Sequence, residues 1–221
     1  MNLRIAKIAD MVKPGVIAAD IGTDHAFLPI LLMQKKTAEK VYACDINEGP
    51  LKAAQRNIAK EGLSDHITTI LCSGFDNVPA DADCAIIAGM GFYTCRDILE
   101  KAMNRLPDFR QIIVEVNRNT PDMRKWISDH HFTIDNEVLI HEKGFDYIAI
   151  SFTVNPHEEL NEEEILCGTD LLVKSEGYEE YCERMIAKID EILKVYKKED
   201  VRKEHLLLEK SMWQKAKDKT R

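Results

Sequence analysis

Long apolar runs are absent from this 221-residue sequence. No stretch approaches the roughly 18 consecutive apolar residues of a membrane span. The N-terminal segment Met-Asn-Leu-Arg-Ile-Ala-Lys-Ile-Ala-Asp has no apolar core of a secretory signal. A cytoplasmic protein without a membrane segment is therefore expected. Clustered cysteines are also missing: Cys44, Cys72, Cys84, Cys95, Cys167 and Cys182 include no C-x-x-C pair. Scattered thiols argue against a metal site and suit a reducing compartment. Three of them, Cys44, Cys72 and Cys84, sit in apolar runs where a thiol packs as a small hydrophobe. Nor is there a G-x-G-x-x-G loop, the backbone cradle that a dinucleotide pyrophosphate needs. Net positive charge is lacking too, the formal charge being −8. The imbalance is local, however. Residues 157–180 carry nine Asp/Glu against one Lys, whereas residues 183–221 carry twelve Lys/Arg against eight Asp/Glu. A basic tail behind an acidic hinge can meet a polyanion, and a solvated helix face of mixed charge is the plainer alternative.

What is present is a pair of short apolar runs that end in carboxylates. Val16-Ile-Ala-Ala-Asp20-Ile-Gly22-Thr-Asp24 is followed by Val41-Tyr-Ala-Cys-Asp45. A parallel strand buried on both faces reads as a continuous apolar run. The interval from Asp20 to Asp45 fits one strand, one helix and a return strand. Ligands of open α/β sheets bind at the carboxyl ends of such strands, where an acidic side chain can accept hydrogen bonds from ribose hydroxyls. Only Gly22 stands in the first loop, and Asp24 lies where a phosphate would approach. A negative side chain repels a pyrophosphate but suits a ligand carrying a sulfonium and an amino group. The pattern therefore favours S-adenosylmethionine (SAM) over NAD, with simple capping of strand ends as the bland alternative.

The rest of the chain extends the same alternation. A short amphipathic helix is expected over residues 2–12, with Leu3, Ile8, Met11 and Val12 as its apolar face, stopped by Pro14-Gly15. Strands are expected at 16–21, 40–45, 67–72, 83–88 and 111–116. Helices are expected from about Pro29 to Gln34, from about Pro50 to Lys60, from about Cys95 to Leu106 and over 121–129. Phe132–Leu139 and Tyr147–Val154 alternate like an antiparallel pair. This predicts an α/β fold: a Rossmann-like, mostly parallel sheet with an antiparallel terminal hairpin, the pattern of class I methyltransferases. A linker is expected near 155–161. Beyond it Cys182, Ile186, Ile189, Leu193 and Tyr196 mark a helical seam, and Leu206, Leu207 and Met212 face back from a second helix. The expected division is a SAM-binding domain over 1–156 and a helical hairpin, coiled-coil-like, over 157–221.

Four strand ends converge on one crevice in this arrangement. Asp20, Gly22 and Thr23 come from the first, and Asp45 and Ile46 from the second. Ser73 and Gly74 follow the third, and Gly89-Met90-Gly91 the fourth. Asp45 is expected to hold the ribose hydroxyls, Ile46 to pack on the adenine face, and the backbone after Ser73 to read the adenine edge. The two glycines around Met90 permit close backbone approach. Asn117, after the fifth strand, either reaches the same crevice or caps a helix. Methyl transfer to a free lone pair needs positioning and exclusion of water more than acid–base chemistry. Asp24 is the candidate for stabilising positive charge on an acceptor base, and His25 for a hydrogen bond to cofactor or base.

At these residues the sequence resembles bacterial tRNA adenine-N1 methyltransferases acting on nucleotide 22 of tRNA. Their opening pattern, A-D-I-G-[ST]-D-H-A-[YF]-L-P, is matched by Ala19-Asp-Ile-Gly-Thr-Asp-His-Ala-Phe-Leu-Pro29. Leu3-Arg-Ile, Glu48-Gly-Pro50, Asn57, Gly62-Leu63 and Ile87-Ala-Gly-Met-Gly91 also fit. The likeness covers residues 2 to about 154, and the tail agrees in placement with that family's C-terminal coiled-coil module. It implies a SAM-dependent enzyme that methylates N1 of adenine 22, with tRNA as partner, no metal, and a monomeric or homodimeric state. Two departures lie on the acceptor side. Phe92-Tyr93 stands where a further small residue is common, and Glu115-Val-Asn117 where Gln-Pro-Asn is common. Phe92 and Tyr93 either stack on an extruded base or belong to the core. Methylation of a small molecule, or a catalytically silent SAM- or tRNA-binding module, are the other readings.

Overall fold

The computed structural model describes residues 2–220. Its centre is a seven-stranded sheet in the order β3-β2-β1-β4-β5-β7-β6. The strands are β1 (Val16–Ile21), β2 (Ala38–Asp45), β3 (Ile67–Leu71), β4 (Cys84–Met90), β5 (Gln111–Val116), β6 (Phe132–Glu142) and β7 (Phe145–Pro156). The first five are parallel, and β7 lies antiparallel to both β5 and β6. The apolar runs of β1, β4 and β5 follow from burial on both faces, whereas β3 at the sheet edge is half exposed. On one side Val16, Val41, Ile86 and Ile113 meet α1 (Leu3–Met11), α2 (Phe27–Gln34) and α3 (Glu48–Lys60). On the other side Ile21, Ile87, Val114 and Phe152 meet α4 (Phe92–Lys101) and α5 (Thr120–Asp129).

The second core cluster does not stop at the sheet. It continues through Cys167, Leu172, Tyr178, Cys182, Ile189 and Trp213 of the tail. The tail comprises α6 (Glu162–Cys167), α7 (Asp170–Val173), α8 (Tyr178–Val195) and α9 (Val201–Asp218). A buried ion pair joins these parts. Arg124 Nε donates to Glu137 Oε1 at 2.7 Å, and Arg124 Nη1 donates to the Ile165 carbonyl at 3.1 Å. The other Glu137 oxygen accepts from the Thr169 amide and hydroxyl at 2.8 and 2.7 Å.

Several boundaries differ from the sequence expectations, each for a local reason. α4 begins at Phe92 rather than near Cys95, because Gly91 is extended and caps it while Phe92 turns into the core. It ends at Lys101, and Leu106–Asp108 forms a separate 3-10 turn. β4 runs on to Met90 and β7 to Pro156. Two short helices occupy the acidic region that the sequence leaves without structure. α6 is nucleated by a capping box between Asn161 and Glu164, and the Glu162–Glu164 run suits a helix N-terminus. Leu3 and Leu207 are exposed, not part of an apolar face, whereas Trp213 is buried and holds α9 in place.

Candidate active site

The chain reverses its direction across the sheet between β1 and β4, and the crevice of an open α/β fold lies at the carboxyl ends of the strands flanking that point. A cleft of about 690 Å³ opens there. Gly22, Asp45, Ile46, Ser73, Gly74 and Met90 line it together, so six of the expected site residues share one cavity. Its outer wall is α4, through Thr94, Asp97, Ile98 and Lys101, none of which the sequence reading singled out. Arg105 fastens the loop after β3 by donating to the carbonyls of Phe75 and Val78 at 3.3 and 2.7 Å.

Backbone geometry explains the glycine after β1. Gly22 has φ +80°, and its amide and that of Thr23 both donate to the Cys44 carbonyl at 2.8 Å. A Cβ at Gly22 would lie 2.2 Å from Cε of Met90, so the loop and the end of β4 close on each other there. Asp45 is buried, and its carboxylate accepts from the amides of Asp24 and Asn47 at 3.3 and 2.9 Å. Those bonds orient the group and leave lone pairs toward the cleft. Asp20 is buried beneath the loop. Burial pushes its carboxyl up to about 6; Thr23 offsets part of that rise, and the Asp45 charge adds to it. Thr23 Oγ1 is buried without a hydrogen-bond partner of good geometry. Ile46 is exposed across the cleft, available to an aromatic face.

These features fit SAM. Two buried carboxylates at the strand ends favour a cation. The Asp45 oxygens match vicinal hydroxyls, and the Ile46 side chain and the backbone at Ser73–Gly74 offer a slot for a purine. Asp24 and His25 stand further out. Both are exposed, with His25 Nε2 3.5 Å from Asp24 Oδ1, and Asp24 holds φ +50° in the loop. They do not line the cleft.

The far side is built on β5. Gly89, at a register shift between β4 and β5, has φ +79°. Its amide donates to Glu115 Oε2 at 2.9 Å and its carbonyl accepts from Asn117 Nδ2 at 2.7 Å. Arg4 of α1 reaches both side chains, with Nη1 3.3 Å from Glu115 Oε2 and 3.4 Å from Asn117 Oδ1. Its guanidinium also lies 5.1 Å from the Tyr147 ring centre. Glu115 is fully buried; burial raises its carboxyl above the usual range, with Arg4 and the Gly89 amide opposing the rise. Asn117 therefore clamps the Gly89–Gly91 turn and does not cap α5, where Asn119 takes the N-cap position. Of the two aromatics after this turn, Phe92 is core and Tyr93 is exposed beside Arg96. Arg4 and Tyr147 were not anticipated as site residues. The charge of Glu115 inside the apolar run 111–116 was a signal for a buried polar network there.

The sheet order, the antiparallel seventh strand and carboxylates at the ends of β1 and β2 define a class I methyltransferase fold, and residues 1–150 match the family model of a methyltransferase domain. The chain belongs to the TrmK family of SAM-dependent methyltransferases. It is 31% identical over 180 residues to a putative tRNA methyltransferase of Mycoplasma pneumoniae, covering 78% of this chain and 81% of the relative. It is 30% identical over 148 residues to the tRNA (adenine(22)-N(1))-methyltransferase of Bacillus subtilis, covering 66% of this chain but 62% of that enzyme's length. The structure of M. capricolum TrmK in complex with S-adenosylhomocysteine superposes with a TM-score of 0.87 at 30% identity, over 100% of this chain and 99% of the other.

Proposed function

We propose that this chain transfers the methyl group of SAM to N1 of adenine 22 in tRNA. SAM supplies an electrophilic methyl group on a sulfonium. The chain's residues hold the two reactants in line. Asp45 accepts hydrogen bonds from the ribose hydroxyls, Ile46 covers the adenine face, and the backbone at Ser73–Gly74 reads the adenine edge. Asp20 sets a negative potential beneath the donor. The Gly89–Gly91 turn, clamped by Asn117 and Glu115, presents the acceptor side. The N1 lone pair forms the new N–C bond while the S–C pair returns to sulfur, so no base is needed to make the nucleophile. The adenine is left with a positive charge, for which Asp24, exposed outside the cleft and tied through its amide to Asp45, is the candidate carboxylate, with His25 as its neighbour.

The observation that carries the cofactor half is the buried Asp45 lining one cleft with Gly22 and Met90, with the carboxyl of Asp20 buried behind it. The acceptor half is supported by the likeness to the Bacillus subtilis enzyme. The test is methyl transfer from labelled SAM to bulk bacterial tRNA at near-physiological salt, with the modified nucleotide mapped. Label on N1 of adenine 22, lost when that base is changed, is the expected result. SAM binding without label on any tRNA would overturn the acceptor and turn attention to a small molecule.

A further inference from the structure

The basic tail is less available to a polyanion than its composition suggests. Along the helical hairpin Lys203 pairs with Glu199, Lys210 with Asp190, Lys217 with Glu183, and Lys219 with Glu163. These four lysines are thus engaged within the chain. A different feature stands free beside the crevice, the turn that joins β6 to β7. Lys143 and Gly144 have φ +52° and +82°, the two left-handed residues of a tight hairpin turn whose twist matches its strands. Such a turn displays its neighbours rigidly. Phe145 is 66% exposed, and Lys143 is exposed with no acidic partner among the described residues.

The turn lies at the catalytic end of the sheet. Glu115 of β5 pairs with Ala149 of β7, so the antiparallel register carried upward sets Asn117 beside Tyr147. Arg4 touches both of those residues, and the Leu3 amide donates to Glu142 Oε1 at 2.7 Å. Arg118, exposed and likewise without an acidic partner among the described residues, follows Asn117 directly. The acids near the turn are already engaged: Asp146 is bound by Arg184 and His141, and Glu142 by the Leu3 amide. A rigid tip bearing a free cation and an exposed aromatic ring, next to a free guanidinium, is the combination that holds phosphates and stacks on bases.

We propose that the β6–β7 turn, with Lys143 and Phe145, together with the adjacent Arg118 forms the surface on which the tRNA docks beside the crevice. This rests on tRNA being the substrate. The test uses the full chain and measures tRNA affinity across a salt series alongside SAM affinity. Lys143→Glu and Arg118→Glu are each expected to weaken tRNA binding at least tenfold. Each should also flatten the slope of log K against log salt by about 0.7–0.9, the signature of one lost phosphate contact. Phe145→Ala should weaken binding and leave the slope unchanged. SAM affinity should stay at the wild-type value in all three, which shows that they fold, and Lys210→Gln on the helical hairpin should bind tRNA normally. Wild-type tRNA affinity and slope in all three turn variants would overturn the docking surface while leaving the proposed reaction intact. Failure of the unaltered chain to bind tRNA at all would overturn both.

Discussion

On the cofactor side of the crevice, Gly22, Asp45, Ile46, Ser73 and Gly74 are delivered by three successive strand-to-loop transitions. Those transitions hold one another: Gly22 and Thr23 donate to Cys44, Asp45 accepts from the Asp24 amide 21 positions away, and Met90 packs on Gly22. On the proposed acceptor side, Gly89 and Asn117 are held by Glu115 and by Arg4, which is 111 and 113 positions away from Glu115 and Asn117. Behind that side lies the Arg124–Glu137 pair, which fastens the tail to the sheet. The cofactor half is built from neighbouring strand ends. The acceptor half is a product of long-range contacts, so damage far away in sequence should reach it first.

The largest expected effect falls on the seam. Arg124→Ala leaves Glu137 buried without its partner and should lower unfolding free energy by about 3–5 kcal/mol, read by denaturant titration. An unchanged midpoint would mean that the tail and sheet are not joined there. For the same reason, truncation near Glu158 is a poor probe of tRNA binding, since it would strip Cys167, Leu172, Tyr178 and Trp213 from a shared core. Asp45→Ala comes next. Losing one or more hydrogen bonds to a charged group, at about 1.5–3 kcal/mol each, should weaken SAM binding by tenfold or more in calorimetry. Wild-type affinity would remove Asp45 from the cofactor site.

Asn117→Ala sharpens the contrast between the halves. It frees the Gly89 carbonyl and should lower kcat for tRNA about tenfold, a cost of roughly 1–1.5 kcal/mol for one neutral hydrogen bond, with SAM affinity unchanged. A matching loss of SAM affinity would merge the two halves into one unit. The pH response is a smaller effect. Asp20 titrates near 6 in the fold against 3.8 ordinarily, so its protonated form is favoured by folding. The stability it contributes is present below about pH 4 and lost as pH rises through 6. Bound SAM, being cationic, favours the ionised form, so SAM affinity should fall as pH drops below about 6. Asp20→Asn should flatten both responses; a variant that keeps the wild-type pH dependence would assign it to another group. The smallest change is Lys210→Gln. Its pair with Asp190 is partly exposed and should contribute less than about 1 kcal/mol to stability.

The strands at 16–21 and 111–116 and the positions of Asp20, Gly22 and Asp45 were legible because each is fixed by a local rule. A buried parallel strand demands an apolar run, and its end demands a break. The helix starting at Phe92 was misjudged because Gly91 caps it through backbone shape alone, without a capping side chain. α6 is hidden by the charge composition around its Asn161–Glu164 capping box, and α7, four residues capped by Thr169, is too short to show a period. Roles for Arg4 and Tyr147 had no local signal. They acquire one when β5 and β7 pair and α1 crosses their ends.

The sequence by itself determined the alternation of strands and helices, the SAM-compatible strand ends and the kinship with tRNA methyltransferases, since these depend on short-range periodicity and on contiguous motifs. Tertiary structure alone decided which cations are free. Composition counts Lys210, Lys217 and Lys143 alike, but folding places carboxylates against the first two and leaves the third at the tip of a turn beside the crevice. Charge is a property of the residue, whereas its availability is a property of its neighbours.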